Sequence, residues 1–222
     1  MNLENIKKEF PIFDDKVQNN DLVYLDSANS AQKPKMVVDR IYNFYTKEFS
    51  NVGRSVHYLA VAATNLYEQT RISVQKYLNA KDKNEIVFTK GATEAINLIA
   101  NTFGQKYLNE GDEVLITELE HHSNYVPWHF LRKSKNIKIK FAELNNDGEI
   151  TLDSIKEKIT NKTKIISVTH LSNVTGAILP IKEIVNLAHS KNIPVLVDGC
   201  QSAPHLKIDM QDLDCDFYAI SG

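Results

Sequence analysis

Five short polar clusters break the apolar pattern of this chain, and each carries residue types that hold charge or move protons. They are Lys90-Gly91-Ala92-Thr93-Glu94, Glu120-His121-His122-Ser123-Asn124, Thr169-His170-Leu171-Ser172-Asn173, Asp198-Gly199-Cys200-Gln201 and Ser221-Gly222. Gly91-Ala92-Thr93 opens a helical pattern. The first N–H groups of a helix have no partner inside it and the helix dipole adds positive potential, so such a start attracts phosphate. Gly91 lets a ligand approach the backbone closely, and Thr93 adds a hydroxyl donor. The same residues also read as an ordinary helix cap with Glu94 in the first turn. Neither the dinucleotide pattern G-x-G-x-x-G nor a Walker loop is present.

Asp198 ends the apolar run Pro194-Val195-Leu196-Val197. A carboxylate there is costly unless a cation meets it, and the protonated nitrogen of a pyridine ring would serve, keeping that ring an electron sink. The alternative is a strand-end Asp that caps the next turn. His121 and His122 follow Glu120, and on an extended segment their side chains point opposite ways, so one can face a site. Such an imidazole can stack on a planar ring and move protons near neutral pH. A metal site is the weaker reading, because adjacent His lack ligand spacing and no third ligand is evident. Asn173 carries an amide for a carboxylate or a ring hydroxyl, or is a turn residue before Gly176. Gln201 stands as a donor to a phenolic oxygen, or as a solvated residue after a strand. Cys200 reads as a small packing residue, and Cys215 lies among Asp212, Asp214 and Asp216, which disfavour a thiolate.

The elements that must position these clusters alternate between helical and β periods. Helices are predicted over 35–48, 59–79, 93–107, 124–134, 151–160 and 181–191, the second with Leu59, Ala63, Leu66, Thr70, Val74, Tyr77 and Leu78 on one stripe. Strands are predicted at 85–89, 114–117, 137–141, 165–168, 195–197 and 217–220. This alternation implies an α/β fold with a mostly parallel sheet, and ligands of such sheets bind beyond the carboxyl ends of the strands. All five clusters fall at those ends.

With 26 basic and 28 acidic residues, a net charge of −2 and 42% hydrophobic residues, the chain offers no electrostatic case for nucleic acid or an anionic membrane. Two cysteines make no disulfide framework. The start has no basic segment followed by an apolar run, and no stretch approaches the ~20 apolar residues of a membrane helix. A soluble protein of a reducing, cytoplasmic setting is the expectation, with no metal.

Taken in order and spacing, the clusters resemble the class V pyridoxal-phosphate (PLP) transferases, and most closely the SUF-type cysteine desulfurases, also described as selenocysteine lyases. The likeness runs from Tyr24-Leu25-Asp26-Ser27-Ala28 with Ala31-Gln32-Lys33-Pro34 to Cys215-Asp216-Phe217-Tyr218-Ala219-Ile220-Ser221-Gly222. Glu120-His121-His122-Ser123-Asn124 with Val126-Pro127-Trp128, and Thr169-His170-Leu171-Ser172-Asn173-Val174, are its most specific stretches. The resemblance implies the large domain of the fold type I PLP transferases, a mostly parallel sheet flanked by helices and incomplete at the C-terminus, over residues 24–222, with an N-terminal arm over 1–23. It implies that Ala92, Thr93 and Ser221 hold the cofactor phosphate, that His121 stacks on the ring, that Asp198 pairs with its nitrogen and that Gln201 bonds its phenolic oxygen. Asn173, Ala28 and Arg54 fall on the substrate side. The implied reaction takes L-cysteine to L-alanine and leaves a persulfide for a sulfur-acceptor protein of iron–sulfur cluster assembly, in a homodimer whose site residues 50–60 approach. Another class V enzyme, such as an aminotransferase or kynureninase-like hydrolase, is the nearest rival; a non-catalytic α/β module is the second.

Two departures qualify the resemblance. The family's Val-His-Arg-Gly segment is here Val52-Gly53-Arg54-Ser55, so an imidazole on the substrate side is lost. The family's Ser-Gly pair is followed by His and the Schiff-base Lys, positions beyond Gly222, and its persulfide Cys and a carboxylate-binding Arg lie further on. A polypeptide of residues 1–222 is therefore expected to bind PLP only non-covalently, because nucleophilic capture of the aldehyde needs that lysine. Absorbance before and after borohydride checks this. The expected outcome is PLP removable by dialysis and no sulfide above the protein-free level. A specifically reduced lysine imine together with sulfide release from cysteine would be the contrary result.

Overall fold

The alternation of apolar runs and amphipathic segments is realised in a computed structural model that describes residues 3–222. The chain forms two compact units, one up to Ser73 and one over Val74–Gly222. In the first, helix α1 (Leu3–Lys7) precedes a short antiparallel pair, β1 (Lys16–Val17) and β2 (Asn20–Asp21). Gln18 and Asn19 join the pair, both with positive φ (52° and 66°), the backbone that matches the twist of a two-residue hairpin. Helix α2 (Lys35–Asn43) continues as a π turn to Glu48, and α3 (Tyr58–Tyr77) follows, its last turn belonging to the second unit.

The second unit continues with α4 (Ala92–Ile99), which runs through a π turn into α5 (Gln105–Tyr107). Then come β3 (Glu113–Thr117), α6 (His122–Lys135), β4 (Lys138–Ala142), α7 (Leu152–Lys158), β5 (Thr163–Thr169), α8 (Ile181–His189), β6 (Val195–Asp198), α9 (Ser202–His205), α10 (Met210–Leu213) and β7 (Phe217–Ala219). The five later strands form one sheet in the order β4-β3-β5-β6-β7, every pairing parallel. Strand side chains alternate between faces, and the core divides accordingly. Val114, Ile116, Ile165, Leu196 and Ala219 pack with Ile96 of α4 and with Trp128 and Leu131 of α6. Leu115, Ile166, Val168, Val195 and Val197 pack with Ile155 of α7 and with Ile184 and Val185 of α8. A parallel sheet covered on both faces needs near-continuous apolar strands, and β3 and β6 are buried at every position.

Two expectations are corrected. Residues 86–89 are not part of a β-strand, and Lys83–Glu85 is a short 3-10 turn that ends on an extended Ile86. Apolar and β-branched composition there favours a strand, but composition alone does not make a ladder. Of the apolar stripe read on α3, Ala63 and Leu78 are buried, but Leu59, Leu66 and Tyr77 are exposed. The helical period is correct, and those three side chains are exposed among the described residues.

Ile166 is fully buried in the middle of β5. Ile166→Ala should lower unfolding free energy by about 2–5 kcal/mol, seen as an earlier denaturant midpoint at unchanged slope.

Candidate active site

Period two along the strands decides which end-of-strand residues share a face. On β6, Leu196 points toward α4 and α6, so Asp198, two residues on, does too. On β5, Ile165 and Ser167 take that side, and with them Thr169. On β7, Ala219 takes it, and Ser221 continues the phase. Register reinforces the grouping, since Thr169 lies opposite Asp198, and Asp198 opposite Ala219.

At this rim the Asp198 side chain is 4% exposed. Its Oδ1 accepts from the Cys200 N–H at 3.1 Å, and the Cys200 thiol also hydrogen-bonds the carboxylate. The Cys200 sulfur in turn receives the Ser221 backbone N–H. The Ser221 hydroxyl stands 4.0 Å from where a Cβ on Gly91 would be, and Gly91, with φ 148°, leads into α4 without a side-chain cap. Ala92 is buried and Thr93 exposed in the first turn of α4. The Glu94 carboxylate reaches back at that end to the Lys90 N–H.

Glu120 lies between β3 and α6. Its Oε1 accepts from the Thr117 hydroxyl (2.6 Å) and the Thr169 N–H (2.9 Å), and its Oε2 from Asn124 Nδ2 (2.6 Å). Burial pushes this carboxyl up to about 7; the three hydrogen bonds pull it down and the charge of Asp198 pushes it further up. The exposed His121 caps α6. Its Nδ1 meets the Ser123 N–H (3.1 Å) and the Ser123 hydroxyl (2.8 Å). A backbone N–H can only donate, so Nδ1 accepts, and the neutral ring carries its proton on Nε2.

Behind the rim, on the α7 and α8 side, Tyr218 Oη bonds His170 Nδ1 (2.9 Å) and Ser202 Oγ (2.7 Å). Burial raises the Tyr218 phenol and lowers the His170 imidazole, favouring the neutral form of each. The Tyr218 ring lies 2.1 Å from the place a Cβ on Gly199 would take, so only glycine fits the turn after Asp198.

The described structure therefore joins Gly91, Ala92 and Ser221 at one place, and Glu120, Thr169, Asp198 and Cys200 beside it. Half-buried Gln201 leads into α9, and exposed Asn173 lies in the loop closed by the Ser172 N–H to Ala177 O bond (2.9 Å). Ala28 and Arg54 belong to the first unit, both exposed, Ala28 in the turn at Asp26–Asn29. Gly53 adopts φ 117° and donates its N–H to Thr64 Oγ1 at 3.1 Å, a backbone that disfavours any side chain there. Glu120 and Tyr218 were missed as site residues, although Glu120 opens a cluster that the sequence reading had singled out. A cavity of about 740 Å³ lies along the β7 edge between Phe217–Ala219 and residues 86–89. Among the described residues, no group of three His, Cys, Asp or Glu is placed to hold a metal, and no helix is long and apolar enough to cross a membrane.

These residues fit PLP by their donor set. A buried carboxylate at a strand end suits a cationic ring nitrogen, and the uncapped start of α4 with the Ser221 hydroxyl suits a phosphate.

The sequence matches the family described as Aminotransferase class-V over residues 23–222. It is 46% identical over its whole length to a probable cysteine desulfurase of Halalkalibacterium halodurans, covering 55% of that protein. It is 46% identical over 97% of its length to one of Staphylococcus epidermidis, covering 52%. The fold superposes on the crystal structure of the cysteine desulfurase CsdA of Escherichia coli with TM-score 0.88 at 38% identity, covering all of this chain and 54% of that one. An apo cysteine desulfurase from Thermococcus onnurineus gives TM-score 0.89 at 33% identity, with 98% and 52% covered. The chain spans about half the length of the curated relatives it matches.

The thiols report on the site. Burial first, then the charge of Asp198, pushes Cys200 up to about 12, and burial with Asp216 and Asp214 does the same for Cys215. Both stay protonated at pH 8, and the thiolate is the reactive form. Iodoacetamide at pH 8, followed by peptide mass spectrometry, should label both in the native chain at least about 10-fold more slowly than in the unfolded chain.

Proposed function

The chain belongs to the aminotransferase class-V family, and from that premise we propose that it is the cofactor-holding portion of a PLP-dependent cysteine desulfurase. One observation carries the reading. A buried Asp198 carboxylate lies opposite Ala219 in the register, two residues before Ser221, whose hydroxyl approaches Gly91 at the start of α4, and this arrangement supports a site for a ring cation and a phosphate. Residues 24–222 are the cofactor domain and residues 1–23 an arm.

PLP, when bound, supplies an electron sink for charge developing at the substrate carbon. The Ala92 N–H, Thr93 and Ser221 hold its phosphate, and Gln201 donates to its phenolic oxygen. Asp198 keeps a proton on the ring nitrogen. His121 covers the ring; its Nδ1 is engaged by Ser123, so Nε2 is the atom left to face a reacting group. Asn173, Ala28 and Arg54 bind the substrate L-cysteine. The whole protein converts it to L-alanine and passes the sulfur to an acceptor protein of the SUF pathway, for iron–sulfur cluster assembly in the cytoplasm. A homodimer is part of the proposal; the exposure of Val56 (98%) and Tyr58 (84%) in the polar segment 50–60 supports it.

Loss of Asp198 tests this reading. In the full-length enzyme Asp198→Ala should lower alanine formation from cysteine by about 100-fold or more, the scale of removing a partner of developing charge, while Asp198→Glu keeps part of it. A wild-type rate in Asp198→Ala would refute the assignment.

A further inference from the structure

Glu120 makes three hydrogen bonds, and each runs to a different piece of the rim. Thr117 ends β3, Asn124 lies in the first turns of α6, and the Thr169 N–H ends β5. The contacts continue inward. Asn124 Oδ1 accepts from the Ser167 hydroxyl at 2.5 Å, and both residues are fully buried. Two ties, Glu120 to Thr169 and Asn124 to Ser167, thus fasten the β3–α6 connection to β5. The end of β5 is in turn fastened to β6: Thr169 lies opposite Asp198, and the His170 N–H donates to Asp198 O at 2.9 Å. His121 is the next residue after Glu120 and sits at the cap of α6.

From this we infer that Glu120 is a positioning residue of the cofactor site: its carboxyl clamps the turn that carries His121 to the strand end that carries Asp198, setting where imidazole and carboxylate stand across the ring. The role rests on the PLP reading above. Its geometry also says which substitution preserves it. The three ties are hydrogen bonds that a neutral carbonyl and amide can also make, so a charge is not what the clamp requires. Glutamine keeps the carbonyl acceptor for Thr169. It turns its amide toward Asn124, which can rotate its own amide because the Ser167 hydroxyl donates or accepts. Alanine leaves the Thr169 N–H and the Asn124 amide buried without partners.

The test is equilibrium PLP titration of the purified protein by absorbance, recording affinity and the maximum of the bound chromophore, with far-UV circular dichroism as the check on folding. Glu120→Ala should weaken PLP binding by about 10-fold or more, the order lost when support behind a ligand is removed, and shift the bound maximum. Glu120→Gln should stay within about threefold of wild type with the maximum unchanged. Thr117→Val, which removes the hydroxyl tie together with the Leu119 N–H bond to the same oxygen, should fall between them and serves if Glu120→Ala does not fold. A folded Glu120→Ala with wild-type affinity, a Glu120→Gln as weak as Glu120→Ala, or a Thr117→Val indistinguishable from wild type would overturn the role. Asp198→Ala separates this from the reading beneath it. If Asp198→Ala loses affinity while Glu120→Ala does not, the clamp alone is wrong; if Asp198→Ala binds like wild type, or wild type does not bind, both are.

Discussion

A carboxylate buried at the end of an apolar strand is the constraint around which this molecule is arranged. Asp198 is 4% exposed, and an unpaired charge in such a place is among the most costly things a fold can contain. Among the described residues it receives a backbone N–H and a thiol from Cys200. The turn that delivers the N–H exists only because Gly199 has no Cβ, the space being filled by the Tyr218 ring. Tyr218 is held by His170 and Ser202. The network behind the sheet thus fixes the turn in front of it.

The parallel register carries that constraint sideways. Because every pairing is parallel, all carboxyl ends reach the same rim, and because side chains alternate, Thr169, Asp198 and Ser221 emerge on the side of α4 and α6. A slip of one residue in β6 would turn Asp198 to the α7 and α8 face, where its neighbours would be the aliphatic cluster. The core therefore enforces the site, since Val195 and Val197 fit one face and Leu196 the other.

Much of this was legible in the chain before any coordinates. The helices at 35–48, 93–107, 124–134 and 181–191 and the strands at 114–117, 165–168 and 195–197 follow from period and turn residues, and the polar clusters from their phase. The losses have definite causes. Residues 86–89 have strand composition, but pairing depends on a neighbour that local sequence does not encode. The α3 stripe has the right period, but burial depends on what covers it. The cap that His121 Nδ1 makes on Ser123 depends on where α6 begins, which its position in a polar run does not reveal. Glu120 looked like one acid in a polar run; its pKa is raised by burial between β3, α6 and β5, against three hydrogen bonds from those elements that lower it, a convergence visible only once they are folded together.

The two carboxyl groups at the rim show how a fold divides labour between like residues. Two nearby acids in a poorly solvated place repel each other when both are ionised, and environment decides which takes up a proton. Here the Asp198 charge is one of the causes that raise Glu120, and burial is the larger one. Glu120 can accept that proton without losing its place, because the Thr117 hydroxyl can accept a hydrogen bond as readily as donate one. Oε2 keeps its acceptor place for the Asn124 amide, and Oε1 keeps Thr117 and Thr169 within hydrogen-bond reach. A residue that yields charge without yielding geometry lets a neighbouring carboxylate stay committed to a cation, and this condition links the hydrogen bonds of one turn to the chemistry proposed for the site.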